Sequence, residues 1–207
     1  MTNWLYSRIS RTILKRFLKR SKGTTLSMRE AVACDLVKTW WRNANSNIVE
    51  LWKGLEAAAL EAVATGRAMQ YGAIKFGVRG DFLHMRLPSG RLLAYPFPQV
   101  DSVETDWGTK QVVSAMTVDS VTRKWVRRSY YGGLWAENLT QAVARDCMAE
   151  AMLELQEKFD ITMTVHDELV AEGNDLEAFK AIMSRVPAWA PGLPVDVDAW
   201  EGKRYRK

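Results

Sequence analysis

Residues Ile161 to Val170, ITMTVHDELV, constrain this chain more than any other stretch. A β-branched run leads into His166-Asp167-Glu168, and a second apolar run leads away, so the segment reads as a β-hairpin with two acids at its tip. Asp and Glu offer hard oxygen ligands, and rigid flanking strands fix where those oxygens sit. Such a tip can hold a divalent metal against phosphates. A lone His-Asp-Glu triplet is most simply an ordinary turn, so its meaning rests on what surrounds it.

Upstream lies YGGLWAENLTQAVARDCMAEAML, Tyr131 to Leu153. Gly132-Gly133 releases the chain into a helix with Leu139, Val143, Cys147, Ala151 and Leu155 on one face. Taken from Trp135 to Phe159, it spans about 37 Å at about 1.5 Å per residue. Asn138, Gln141 and Arg145 recur three and four residues apart, on a shared face away from that stripe. Amides and a guanidinium so placed suit the minor-groove edge or the backbone of a duplex. Spacing alone reads more simply as a solvated polar face.

The rest of the chain frames these two segments. Ser27 to Trp41 has apolar positions at helical spacing, and Ser27 with Glu30 makes a capping box. A polar break at Asn43 to Asn47 precedes a second stripe, Ile48 to Val63, ending near Gly66, so a helical hairpin is expected. Short strands follow at Ile74 to Val78, Phe82 to Leu87 and Arg91 to Tyr95, with Pro88-Ser89-Gly90 as a turn. Val112 to Val118 should pair with Lys124 to Tyr130 through Asp119-Ser120. Beyond the acidic tip come a helix at Leu176 to Val186, a turn-rich connection at Pro187 to Pro194, and an edge-like strand at Val195 to Asp198. Antiparallel strands with segregated helices make the class α+β. The expected organisation is a basic segment over 1–22, a helical hairpin over 23–70 and a sheet-bearing part over 71–207.

Composition narrows the function classes. With 207 residues, 47% of them apolar, the chain can bury one good core. Most of its nine tryptophans are expected in packing roles. The net charge of +5 is concentrated at Arg8 to Lys22, Arg123 to Arg128 and Lys203 to Lys207, a distribution suited to a polyanion. Cys34 and Cys147 fall in helices without metal-ligand spacing and read as reduced, buried residues of a cytosolic protein. No apolar run approaches the roughly 20 residues of a membrane span. Basic residues break every run near the N-terminus, which argues against a secretion signal.

Together these motifs resemble the C-terminal palm part of family A DNA polymerases, phage type. WWRNANSNIVELWKGLEAAALEAV is similar to the helices after the fingers, and LPSGRLLAYP to the strands leading back to the palm. YYGGLWAENLTQAVARD resembles the helix whose Gln contacts duplex DNA, VHDELVAE the last catalytic motif, and LPVDVDAWEGKRYRK the closing strand and tail. The resemblance implies an antiparallel palm-type sheet preceded by the end of the fingers. It implies catalytic roles for Asp167, Glu168 and His166, with Asp167 and Glu168 as ligands of Mg. Gln141, with Asn138 and Arg145 beside it, would contact primer-template DNA, Arg145 matching the phage subset only. Deoxynucleoside triphosphates are the implied substrates and the bacterial cytoplasm the implied setting, encoded by a phage or prophage.

Two family elements are missing from the sequence. These are the Asp-Tyr-Ser strand that carries the second metal-bridging aspartate, and the fingers helix that grips the incoming nucleotide. Arg11 and Lys15 have that helix's Arg-to-Lys spacing but lack the Tyr-Gly pair. The expected partner is therefore the N-terminal part of a split polymerase. A noncatalytic remnant that binds DNA or a partner, and a truncated gene, are the alternatives. A basic metal-dependent nuclease would need more acids near Asp167, and Glu172 and Asp175 read as strand-end and helix-cap residues.

Overall fold

The computed structural model describes residues 28–105 and 108–205. The chain divides into two units, Met1–Val49 and Glu50–Lys207. The basic segment over 1–22 and the Ser27 cap lie outside the described residues.

Two helices come first, α1 (Met28–Ala44) and α2 (Ser46–Thr65). The polar break between them is narrower than the sequence suggests, because Asn45 alone serves both ends. Its backbone N–H and its Nδ2 both donate to the Trp41 carbonyl, at 3.0 and 2.8 Å, while its own carbonyl accepts from Ile48 and Val49. Gly66 ends α2 with φ +69, the left-handed conformation that glycine takes without a Cβ penalty.

The second unit carries all the strands found among the described residues. β1 (Met69–Tyr71), β2 (Ile74–Arg79), β3 (Phe82–Arg86) and β4 (Leu92–Pro96) form an antiparallel meander. β5 (Gln99–Thr105), β6 (Gly108–Val118) and β7 (Trp125–Tyr130) form a second antiparallel sheet. α3 (Gly132–Leu155) follows, then a two-stranded hairpin of β8 (Asp160–Val165) and β9 (Glu168–Glu172), then α4 (Leu176–Met183). The α+β class and the antiparallel pairing are as the sequence indicates. No helix among the described residues is long and apolar enough to cross a membrane.

Four elements depart from expectation. β1 and β5 carry too little alternation to be read: β1 has three residues, and β5 follows prolines that signal an end rather than a start. α3 starts at Gly132 instead of Trp135 and stops at Leu155, because Gln156–Phe159 close turns back onto the helix end. Val195–Asp198 alternates like an edge strand yet pairs with no strand among the described residues, so alternation alone does not make a ladder there. Of the seven tryptophans among the described residues, only Trp135 is fully buried, and Trp125 and Trp200 are about half exposed. Cys34 and Cys147 are free and only part-buried.

One core joins helix and sheets. Leu55, Ala58, Ala59 and Ala62 give α2 a single buried face, and Phe76, Leu83, Met85 and Tyr95 come from the meander. Val113, Ala115 and Tyr130 come from the second sheet, and Leu134, Trp135 and Leu139 from α3. Trp135 stands at the centre, 4.8 Å from the ring centroids of both Tyr95 and Tyr130 and 5.5 Å from Phe76. Gly132 lets α3 start against α2, since a Cβ there would lie 2.3 Å from the Trp52 carbonyl oxygen. Trp135→Ala should therefore destabilise the fold by about 3–5 kcal/mol. Urea unfolding followed by fluorescence and circular dichroism checks this, with a fall in midpoint as the expected result.

Candidate functional site

The β8–β9 hairpin closes through a two-residue loop, His166-Asp167, with Val165 paired to Glu168. His166 takes φ +54, a conformation that costs a non-glycine residue of order 1 kcal/mol. The turn is thus held against local preference by the strands on either side. A bulge at Thr162 shifts the register, so Ile161 faces Ala171 but Met163 faces Val170. The Thr162 hydroxyl donates to the Val170 carbonyl at 3.1 Å, which fixes the bulge. Bulges of this kind re-aim the residues beyond them.

The base of the hairpin is anchored by aromatic packing. Phe159, just before β8, packs edge-on against Phe179 of α4 with centroids 5.4 Å apart. Gly173 leaves room for that ring, because a Cβ would come within 2.5 Å of it. Asp175 caps α4 by accepting from the Ala178 N–H at 2.9 Å, and Glu172 ends β9, matching both sequence readings. Trp189 donates to Glu150 at 2.5 Å and Arg185 pairs with Glu154, tying the segment after α4 to the last turns of α3.

At the tip, His166 and Asp167 are exposed and Glu168 is half-buried. Glu168 has a partner that the sequence does not announce: the Tyr205 hydroxyl donates to its Oε2 at 2.6 Å. That bond, then desolvation, then the carboxylate's charge, push the Tyr205 phenol above its ordinary value. Asp167 and Glu168 line a cleft of about 710 Å³ closed on its far side by the tail from Val197 to Tyr205. No group of three or more His, Cys, Asp or Glu that could enclose a metal is present among the described residues.

The three polar residues of α3 separate into two roles. Asn138 is part-buried and its Nδ2 donates to the Tyr95 hydroxyl at 3.1 Å. Gln141 and Arg145 are exposed. Arg145 lines a groove of about 510 Å³ with Ala149, Met152, Leu153, Phe159 and Ile161, and its guanidinium reaches the Met152 sulfur at 3.8 Å. That groove meets β8 at Asp160–Ile161, about 15 Å along the strand from the acidic tip at about 3.3 Å per residue. Asp167 and Glu168 thus stand at the tip of the hairpin and Arg145 near its Asp160–Ile161 end, with Gln141 one turn earlier on α3.

The chain is 35% identical over 189 residues to the DNA polymerase of Bacillus phage SP02, a match covering 88% of this chain. The chain resembles part of a phage DNA polymerase. It spans 28% of the length of that relative. No family model and no solved structure matches it.

Tyr95 and Tyr205 are the residues whose roles sequence reasoning missed: both fall in the quoted segments LPSGRLLAYP and LPVDVDAWEGKRYRK, but their partners lie far off in the chain. Burial pushes the Tyr95 phenol up to about 12, partly offset by the Asn138 hydrogen bond. A phenol raised in the folded state, from an ordinary value near 10, contributes stability that is fully present below about pH 10. That contribution is lost as pH rises toward 12. The chain should thus lose about 2–3 kcal/mol of stability between pH 10 and 12 from this group, and Tyr95→Phe should flatten that part of the profile. Denaturant midpoints measured across the window read this out.

Proposed function

We propose that this chain supplies the C-terminal palm part of a family A DNA-directed DNA polymerase, working with a part that carries the first catalytic motif. The likeness to the phage polymerase, covering 88% of the chain, is the observation that carries the reading. The hairpin geometry supports it: two adjacent carboxylates on a rigid, strained turn beside an open cleft.

Hard carboxylate oxygens suit a hard divalent ion such as Mg, which keeps waters and shares its remaining positions with phosphates. Asp167 and Glu168 would hold it. Such an ion, when bound, lowers the barrier to attack of a primer hydroxyl on a nucleoside triphosphate by offsetting charge on the oxygens. Asp167, exposed at the tip, is the principal ligand, and Glu168 is the auxiliary acid whose Oε2 Tyr205 already occupies. His166 sets the turn that presents both. Gln141 and Arg145 face outward to meet primer-template DNA, while Asn138 fixes their helix to the sheet through Tyr95.

Two carboxylates are half of a two-metal site, so the second bridging aspartate comes from another segment. β8 offers it a place. Among the described residues the sheet has two strands only, and β8 carries exposed Thr162, Met163 and Thr164. An isolated pair of strands is marginal, and a third strand would complete the ladder.

Primer extension with magnesium, with the chain supplied alongside an N-terminal polymerase part carrying the Asp-Tyr-Ser strand, tests the reading. Asp167→Ala should lower extension by about 100-fold or more. Gln141→Ala should raise the half-saturating primer-template concentration several-fold and leave the maximal rate closer to normal. Extension unchanged by Asp167→Ala would sink the catalytic assignment, and salt-dependent primer-template binding without any extension would favour a noncatalytic remnant.

A further inference from the structure

The turn between β6 and β7, Asp119 to Lys124, is far better ordered by its own bonds than a surface loop needs to be. Asp119 Oδ1 accepts from the Thr122 N–H at 2.6 Å, from the Thr122 hydroxyl at 2.8 Å and from the Val121 N–H at 3.1 Å. The backbone closes around it, with Asp119 N–H donating to the Lys124 carbonyl and Arg123 N–H to the Asp119 carbonyl, both at 2.9 Å. Arg123 is held at φ +57. This built turn presents an apolar surface to solvent. Val121 is 86% exposed, and Val118 and Trp125, directly paired across the strands, are each 53% exposed.

Charge surrounds that surface. Arg123 and Lys124 are exposed and form no ion pair among the described residues, while the Asp119 carboxyl is held below its ordinary value by its Thr122 hydrogen bonds and, in lesser part, by Arg128 on the other face of β7. The acid in the turn, Asp119, is engaged by Thr122. Arg127 lies on the Trp125 face of β7, anchored by its bonds to the Phe97 carbonyl and the Ser114 hydroxyl at 2.9 and 3.2 Å. An exposed indole among unpaired cations is the combination that binds unstacked bases and their phosphates. A duplex keeps its base faces covered, so a single strand fits this tip.

We propose that the β6–β7 tip binds single-stranded nucleic acid, with Trp125 stacking on a base and Arg123 and Lys124 taking the adjacent phosphates. This site is separate from the hairpin acids and from Gln141 and Arg145, and it stands without the polymerase reading. A strand leaving a duplex bound elsewhere on the molecule, or a free single strand, offers the same chemistry.

The test is fluorescence anisotropy of a labelled thymidine oligonucleotide of about 12 nucleotides, with the full chain and without magnesium. Trp125→Ala should weaken binding at least about fivefold and Trp125→Phe much less, because a phenyl ring still stacks. Arg123→Gln with Lys124→Gln should flatten the salt dependence by about 1.4 in the log–log slope. Heparin, a polyanion without bases, should lose affinity with the two Gln changes and keep it with Trp125→Ala. The assay contains no magnesium, nucleotide or N-terminal polymerase part, so failure of the catalytic reading leaves this one standing. Unchanged oligonucleotide affinity in Trp125→Ala would overturn the proposal, as would an equal loss of heparin affinity. Trp125-dependent capture by phosphatidylserine vesicles that the oligonucleotide fails to displace would also overturn it, in favour of a lipid surface.

Discussion

Trp135 is the residue on which the second unit is assembled. Its ring is fully buried and meets Phe76 from the first sheet, Tyr95 from the last strand of that sheet, and Tyr130 from the end of the second. Two sheets that share no ladder are thereby packed on one helix. The cost of the arrangement is visible at the indole nitrogen, which is buried without a hydrogen-bond acceptor. Large ring area and edge-to-face contacts offset that loss, since each aromatic pair contributes about 0.5–1.5 kcal/mol beyond the area it buries. The outward face of α3 inherits its orientation from this contact, because Asn138, three residues on, reaches the same Tyr95.

Helix placement matters to the acidic hairpin as well. Among the described residues β8 and β9 pair only with each other, and two strands alone barely hold together in water. Their order comes from both ends of the neighbouring helices: Phe159 on Phe179 at the base, and Glu150 and Glu154 of α3 bound to Trp189 and Arg185. A strained His166 can persist because those supports fix the strands that flank it. The bulge at Thr162 then sets which residues near the tip face the partner strand.

Much of this was legible in the sequence wherever periodicity and turn chemistry agree. The stripe Leu55, Ala58, Ala59, the pairing of β6 with β7, the Asp175 cap and the tip at His166-Asp167 all follow from spacing. Long-range partners were not legible. Nothing local says that Asn138 would spend its amide on Tyr95, 43 residues earlier, or that Tyr205 would reach Glu168, 37 residues back. Alternation misled at Val195–Asp198, where the pattern of a strand is present but no strand among the described residues pairs with it. β5 shows the converse: its ladder with β6 was invisible from a segment that begins after two prolines.

The Tyr205 contact also separates the two acids chemically. A carboxylate oxygen that accepts a phenol at 2.6 Å has given one acceptor direction to the protein, whereas Asp167 makes no side-chain hydrogen bond or ion pair among the described residues. The two groups are adjacent in sequence and different in readiness. Asp167 is exposed at the turn, while Glu168 is half-buried with one carboxylate oxygen held by the tail. Tyr205 belongs to the tail segment that lines the cleft, so its bond to Glu168 joins the hairpin tip to that tail.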